Sequence, residues 1–187
     1  CQYVGLEHMK KAEKSISAEE LIGNDALGFY KNLHSSQVAQ MVVDGKIGSF
    51  LHVKTAEESN YLQSLAEKSR LKIPLIIGID AIHGNALVSG TTVYPTPINM
   101  AACFDNYYPY QIARETAIEM RATGSHWSFT PNIDVMRDPR WGRVGETFGE
   151  DPFLVGEMGV AMINGFQQGD YTGIDKVIAV SYTHLTL

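Results

Sequence analysis

Residues 74–80 read P-L-I-I-G-I-D, an unbroken apolar run that ends on a carboxylate. A strand that faces water on one side alternates apolar and polar residues. A run without alternation is expected of a strand covered on both faces, as in a parallel sheet. Parallel strands need crossover connections, usually helical, and the sequence supplies helical patterns between its apolar runs. Residues 37–44 carry Val38, Met41 and Val42 at helical spacing, with Gly45 as a stop. Residues 47–53 (I-G-S-F-L-H-V) read as a strand. Thr55-x-x-Glu58 has the spacing of a capping box and opens a helix to about Arg70, with Tyr61, Leu62, Leu65 and Ala66 on its apolar face. A long connection marked by Gly84, Gly90, Pro95 and Pro97 follows the apolar run.

Residues 106–123 then predict a helix with Ile112, Ala113, Ala117 and Met120 inward, and residues 126–129 a short strand. Asp151-Pro152 gives an N-cap followed by proline at the first helical position. The helix after it presents Leu154, Val155, Met158, Met162 and Phe166 as a core stripe, and residues 177–180 begin another strand. Before residue 36 the pattern is weak. Ser17-Ala18-Glu19-Glu20 resembles a second capping box, so a short helix is expected there, with loop around Gly23 and Gly28. Repeated strand–helix alternation implies a parallel α/β architecture, and either a doubly wound sheet or a (β/α)8 barrel fits it. In both, ligand sites lie at the C-terminal ends of strands.

Composition narrows the function classes. The chain has 187 residues, 44% hydrophobic and 19% charged, which places it among globular rather than disordered chains. A net charge of -6 without a basic run leaves no electrostatic footprint for nucleic acid. No apolar stretch reaches membrane-span length. The first residue is Cys1 rather than Met, so the natural N-terminus and any export signal are expected to precede it. Cys103, the other cysteine, is expected to be a free thiol, with a disulfide as the alternative.

Two features fall at predicted strand ends. One is Asp80-Ala81-Ile82-His83-Gly84. The other is residues 132–152, N-I-D-V-M-R-D-P-R-W-G-R-V-G-E-T-F-G-E-D-P, with three arginines, three aspartates, two glutamates and a tryptophan. Pro139, Pro152 and three glycines keep the second stretch out of regular structure. Asp80 closes a buried strand, where a carboxylate needs strong partners. It either caps a neighbouring amide or accepts from ligand hydroxyls, and vicinal sugar hydroxyls would suit it. His83 fits a structural turn as well as a functional role. Trp141 fits a loop anchor as well as a sugar platform. Some of Arg137, Arg140 and Arg143 must pair with local carboxylates. An arginine left facing a pocket would offer a planar fork of donors to hydroxyls or a carboxylate. G-x-G-x-x-G, the phosphate-loop lysine motif, G-x-S-x-G and H-E-x-x-H are all missing, and the six histidines lack zinc-site spacing. Dinucleotide, nucleoside triphosphate, serine-esterase and zinc-hydrolase readings fall away accordingly.

From residue 45 to 179 the sequence resembles the N-terminal domain of glycoside hydrolase family 3, above all its β-glucosidase branch. The resemblance rests on K-I-G-S-F-L, I-P-L-I-I-G-I-D-A-I-H-G, T-V-Y-P-T-P-I, E-M-R-A-T-G and R-D-P-R-W-G-R-V-G-E-T-F-G-E-D-P. It implies a partial (β/α)8 barrel, the first strand–helix units of a TIM-like domain that a second α/β domain follows. It also implies a retaining, exo-acting hydrolase of non-reducing-end β-glucosyl residues that uses neither metal nor organic cofactor. Two carboxyl groups about 5 Å apart perform such chemistry, one as nucleophile and one as acid/base. The family's sugar-binding aspartate maps onto Asp80 and its sugar-binding arginine onto Arg143. Glu146 maps as a buttress for that arginine, His83 and Trp141 take supporting places, and Arg137 and Arg140 hold the loop together.

The resemblance stops abruptly. The family continues V-I-A-C-x-K-H-F, whereas here Val177-Ile178-Ala179 runs into V-S-Y-T-H-L-T-L. Tyr182 and Thr183 stand where a sugar-gripping lysine and histidine belong, and His184 is one place late. Residues 181–187 are therefore read as a non-native tail on one incomplete domain spanning residues 1–187. The nucleophile and acid/base are expected downstream, so no catalytic carboxylate is assigned within the chain, and the chain alone is expected to be inactive. Open sheet edges are expected to cost it stability. A carbohydrate is the expected partner, with no nucleic acid and no membrane segment. The resemblance suggests a periplasmic or extracellular setting. β-Xylosidase and β-N-acetylhexosaminidase are alternative activities, and a non-catalytic carbohydrate-binding domain is the alternative from another class.

Overall fold

The computed structural model describes residues 2–4, 35–169 and 172–183. The expected helix around Ser17 and the tail from His184 onward lie outside the described residues. The chain divides into two compact units, residues 1–78 and 79–187.

The first unit holds β1 (Gln2–Val4), α1 (Ser35–Val43), β2 (Ser49–Leu51), α2 (Ala56–Ala66) and most of β3 (Ile76–Ile79). β2 pairs in parallel with β1 on one side and β3 on the other, with Ser49 opposite Gln2 and Ile76. Thr55 Oγ1 accepts from the Glu58 N–H at 3.1 Å, so the capping residue starts α2 as its spacing predicts. The core comprises Val38, Val42, Ile47, Phe50, Val53, Leu62, Leu65, Ala66, Leu75 and Ile77. Several sequence expectations need correction. β2 has three residues rather than seven, because His52 turns to φ 58° just past Leu51. α2 stops at Ala66, short of Arg70. Tyr61 is 48% exposed and Ile76 42% exposed, so neither joins the core. Hydropathy marks them as apolar, but their place on the element's outer side decides their burial.

The second unit begins at the last residue of β3 and adds α3 (Pro97–Ala101), α4 (Tyr107–Ala122), β4 (Trp127–Ser128), α5 (Pro152–Gln167) and β5 (Ile178–Ala179). β4 and β5 run parallel, Trp127 opposite Ile178, and the Phe129 N–H donates to the Ile79 carbonyl. α4 and α5 bury Ala113, Ala117 and Met120 against Val155, Met158, Met162 and Phe166. Leu154 and Ile112, expected inward, pack only at the edge of this core. The two helices approach closely at Gly165, where an added Cβ would lie 2.3 Å from the Tyr110 carbonyl oxygen. Asp151 caps α5 by accepting from the Leu154 N–H at 2.8 Å, with Pro152 at the first turn, as the sequence predicts. The sequence predicts a connection where α3 forms. Its Pro97 occupies the first helical turn, where proline starts a helix as readily as it ends one, and five residues show no period. Both β4 and β5 are two residues long, shorter than their apolar runs. Among the described residues no helix is long and apolar enough to cross a membrane.

Candidate functional site

The charged stretch leaves the end of β4 and returns to the start of α5 within the second unit. The Met136 N–H donates to the Gly149 carbonyl at 2.9 Å and closes the loop at its base. Gly149 does this at φ +117°, which a side-chain-bearing residue adopts only under strain. Between these ends the backbone proceeds by tight turns. Trp141 N–H donates to Asp138 O, Val144 N–H to Trp141 O, and Glu146 N–H to Arg143 O at 2.9 Å. Residues Val144–Glu146 form one 3₁₀ turn. Side chains three apart eclipse in that geometry, so Glu146 comes under Arg143. Phe148, buried in the core, anchors the far side of the turn.

Arg143 grips Glu146 through two donors, with Nε and Nη2 at 2.9 and 2.6 Å from the same carboxylate oxygen. Its Nη2 also donates to the Tyr182 hydroxyl at 2.6 Å, and its guanidinium carbon lies 5.5 Å from that ring's centre. The hydrogen bond to Glu146 strengthens Arg143 as a cation, with smaller help from Tyr182. Burial pushes the Tyr182 phenol up from its ordinary range. Arg143 pulls the other way, and Glu146 and Asp80 add to the rise. Asp80 is thus close enough for its charge to be felt at the phenol that Arg143 holds. Arg143 thus touches this hydroxyl, and the charge of Asp80, 63 positions earlier, is felt there.

The other candidates sit differently. His83 is half-buried. Its carbonyl accepts from the Tyr94 N–H at 2.9 Å, and its Nδ1 is buried without a hydrogen-bond partner among the described residues. Trp141 is half-buried and takes part in the loop's turns through its backbone. Arg140 folds back onto Asp138 at 2.5 Å on the outer surface, which holds the Asp138 carboxyl below its usual range. Arg137 is exposed. Cys103 is a free, exposed thiol. Among the described residues no three His, Cys, Asp or Glu side chains cluster as a metal site would require.

Sequence reasoning overlooked the partner role of Tyr182 and the position of Asn132. The pairing of β4 with β5 continues past both strands. Tyr182 N–H donates to Pro131 O at 3.2 Å and Ile133 N–H to Tyr182 O at 2.9 Å, so Asn132 and Tyr182 face each other as a parallel pair. The Asn132 side chain accepts from the Asp134 N–H at 2.9 Å. The pairing with Tyr182 has no local sequence signal, because it joins segments remote in the chain.

Comparison with known proteins identifies the family. The family description "Glycosyl hydrolase family 3 N terminal domain" matches residues 13–184. The chain is similar to a periplasmic beta-glucosidase of Salmonella typhimurium, 34% identical over 131 residues, covering 70% of this chain and 16% of that protein. It is likewise similar to a beta-xylosidase of Formosa agariphila, 38% identical over 132 residues, covering 67% of this chain and 18% of that one. Among solved structures, a beta-glucosidase from Listeria innocua in complex with glucose superposes with a TM-score of 0.73 at 31% identity, covering 97% of this chain and 24% of the other. The chain therefore spans less than a quarter of the length of each of these three relatives. Its parallel strands and alternating helices are those of a partial (β/α)8-type domain, and the chain belongs to glycosyl hydrolase family 3, within the family's N-terminal domain.

Proposed function

We propose that this chain contributes part of the sugar-binding subsite of a retaining, exo-acting β-glucosidase-type hydrolase. Asp80 accepts hydroxyl protons of the non-reducing-end glucosyl unit, and Arg143 donates to its hydroxyl oxygens. Glu146 holds the guanidinium in place, while His83 and Trp141 support the surrounding turns. The observation that carries this reading is the Arg143 clamp. Nε and Nη2 are engaged by Glu146 and Tyr182, whereas Nη1 makes no hydrogen bond to any described residue. A fork fixed on one edge with donors left over on the other suits hydroxyl recognition. The Tyr182 hydroxyl, held by Arg143 and feeling the Asp80 charge, stands as a sugar hydroxyl would.

In this reading the nucleophile and the acid/base lie outside residues 1–187. The nucleophilic carboxylate forms a bond to the anomeric carbon as the acid protonates the leaving oxygen, and water then cleaves the glycosyl-enzyme. The test is calorimetric titration of the chain with glucose, alongside Asp80→Ala and Arg143→Ala. Saturable binding that either variant abolishes supports the proposal, and binding indifferent to both overturns it. Turnover of an aryl β-glucoside by the chain alone would contradict the placement of the catalytic carboxylates. A second reading, β-xylosidase, draws on the beta-xylosidase relative, whose identity is of the same order. Tighter binding of xylose than of glucose would favour it.

A further inference from the structure

Asn132 lies at the C-terminal end of the β4 run, where ligands bind in such folds. It is almost fully buried. Its orientation is fixed by chemistry, because Oδ1 accepts the Asp134 N–H at 2.9 Å and the remaining atom must be the Nδ2 donor. That Nδ2 is buried and has no hydrogen-bond partner among the described residues. A buried N–H without an acceptor destabilises a fold, and an acceptor that enters from outside would satisfy it. The parallel pairing of Asn132 with Tyr182 puts their side chains on the same face. Tyr182 reaches Arg143 and lies within the field of Asp80 on that face. Ser128 Oγ and Thr130 Oγ1, also buried without partners among the described residues, lie further back along the same run. Only Asn132 stands beside the residue that meets Arg143.

We infer that Asn132 Nδ2 is a further donor of this pocket, recognising a hydroxyl oxygen of the bound sugar beside Asp80 and Arg143. The inference rests on the proposed sugar subsite. A sugar entering at Arg143 takes the place of the Tyr182 phenol and uncovers Nδ2. The amide then donates to the hydroxyl oxygen while the Asp134 N–H keeps its orientation. Asn132 is thus a specificity group for one hydroxyl rather than for sugars in general.

The test compares the chain with its Asn132→Asp variant, which keeps the acceptor for Asp134 and replaces the donor by an oxygen. Both are titrated with glucose and with each monodeoxyglucose. The expected result is a loss of affinity for glucose of about tenfold, with no loss for the one deoxy sugar that lacks the contacted hydroxyl. An equal loss for every sugar, or no loss at all, overturns the inference while leaving the subsite reading intact. Where the variant does not fold, the side-chain amide resonance of Asn132 in the unsubstituted chain serves instead. It should shift with glucose and stay in place with the silent deoxy sugar, and a resonance indifferent to glucose rejects the role. If the unsubstituted chain binds neither glucose nor xylose, or if binding survives both Asp80→Ala and Arg143→Ala, the subsite reading itself fails and the inference goes with it.

Discussion

Two ion pairs share one loop, and they differ in almost everything except distance. Arg140 meets Asp138 at 2.5 Å and Arg143 meets Glu146 at 2.6 Å. The first pair is local and outward, with side chains 88% and 44% exposed. The second is 34% and 29% exposed and has Tyr182 as a third member from a segment remote in the chain. Exposed pairs gain little, since water and salt screen them and holding two long side chains costs entropy. A partly buried pair with charge-assisted hydrogen bonds on two donors gains more. Nearly equal distances therefore hide unequal roles. The outer pair decorates the loop, while the inner pair shapes the surface a ligand would meet.

The strongest way to break this contrast is to remove what anchors the inner turn. Phe148→Ala should destabilise the second unit by about 3–5 kcal/mol, as large core truncations do, and chemical denaturation would measure it. Arg143→Ala comes next. It strands Glu146 in a half-covered position, and a stability loss of about 1–2 kcal/mol is expected once screening is allowed for, again read by denaturation. An unchanged midpoint would place the inner pair in the same class as the outer one.

The pair's third member gives a subtler readout. Burial raises the Tyr182 phenol above its ordinary value of 10.0, so the folded chain keeps this proton at pH values where the unfolded chain has released it. Its contribution to stability is present below pH 10.0 and is lost as pH rises through the folded value. Thermal melts of Tyr182→Phe against the unsubstituted chain should show a shallower alkaline decline in the variant. Asp138→Ala should have the smallest effect, with no measurable change in melting temperature. A clear drop would mean that the outer pair also shapes the loop.

Much of this molecule was legible before any coordinates. Thr55 and Asp151 cap their helices because a short oxygen-bearing side chain at that place accepts a free helix N–H, a purely local matter. Val155, Met158, Met162 and Phe166 form a buried stripe because helical periodicity puts them on one side. The pairing of Glu146 with Arg143 was legible through motif resemblance. α3 was not legible, since five residues led by proline resemble a connection. Strand lengths were not legible either. Apolar runs mark where a chain can be buried, whereas pairing requires a neighbour within hydrogen-bond reach.

By itself, then, the sequence determined the strand–helix alternation, the caps and the helical core stripe, because these depend on periodicity and on local donors and acceptors. Tertiary structure alone decided that Tyr61 and Ile76 face outward. It also decided that Tyr182 takes Arg143's remaining Nη2 donor and that the buried Asn132 amide has no partner among the described residues. Those outcomes depend on which remote segment lies alongside, and burial, unlike periodicity, is a property of the neighbours rather than of the residue.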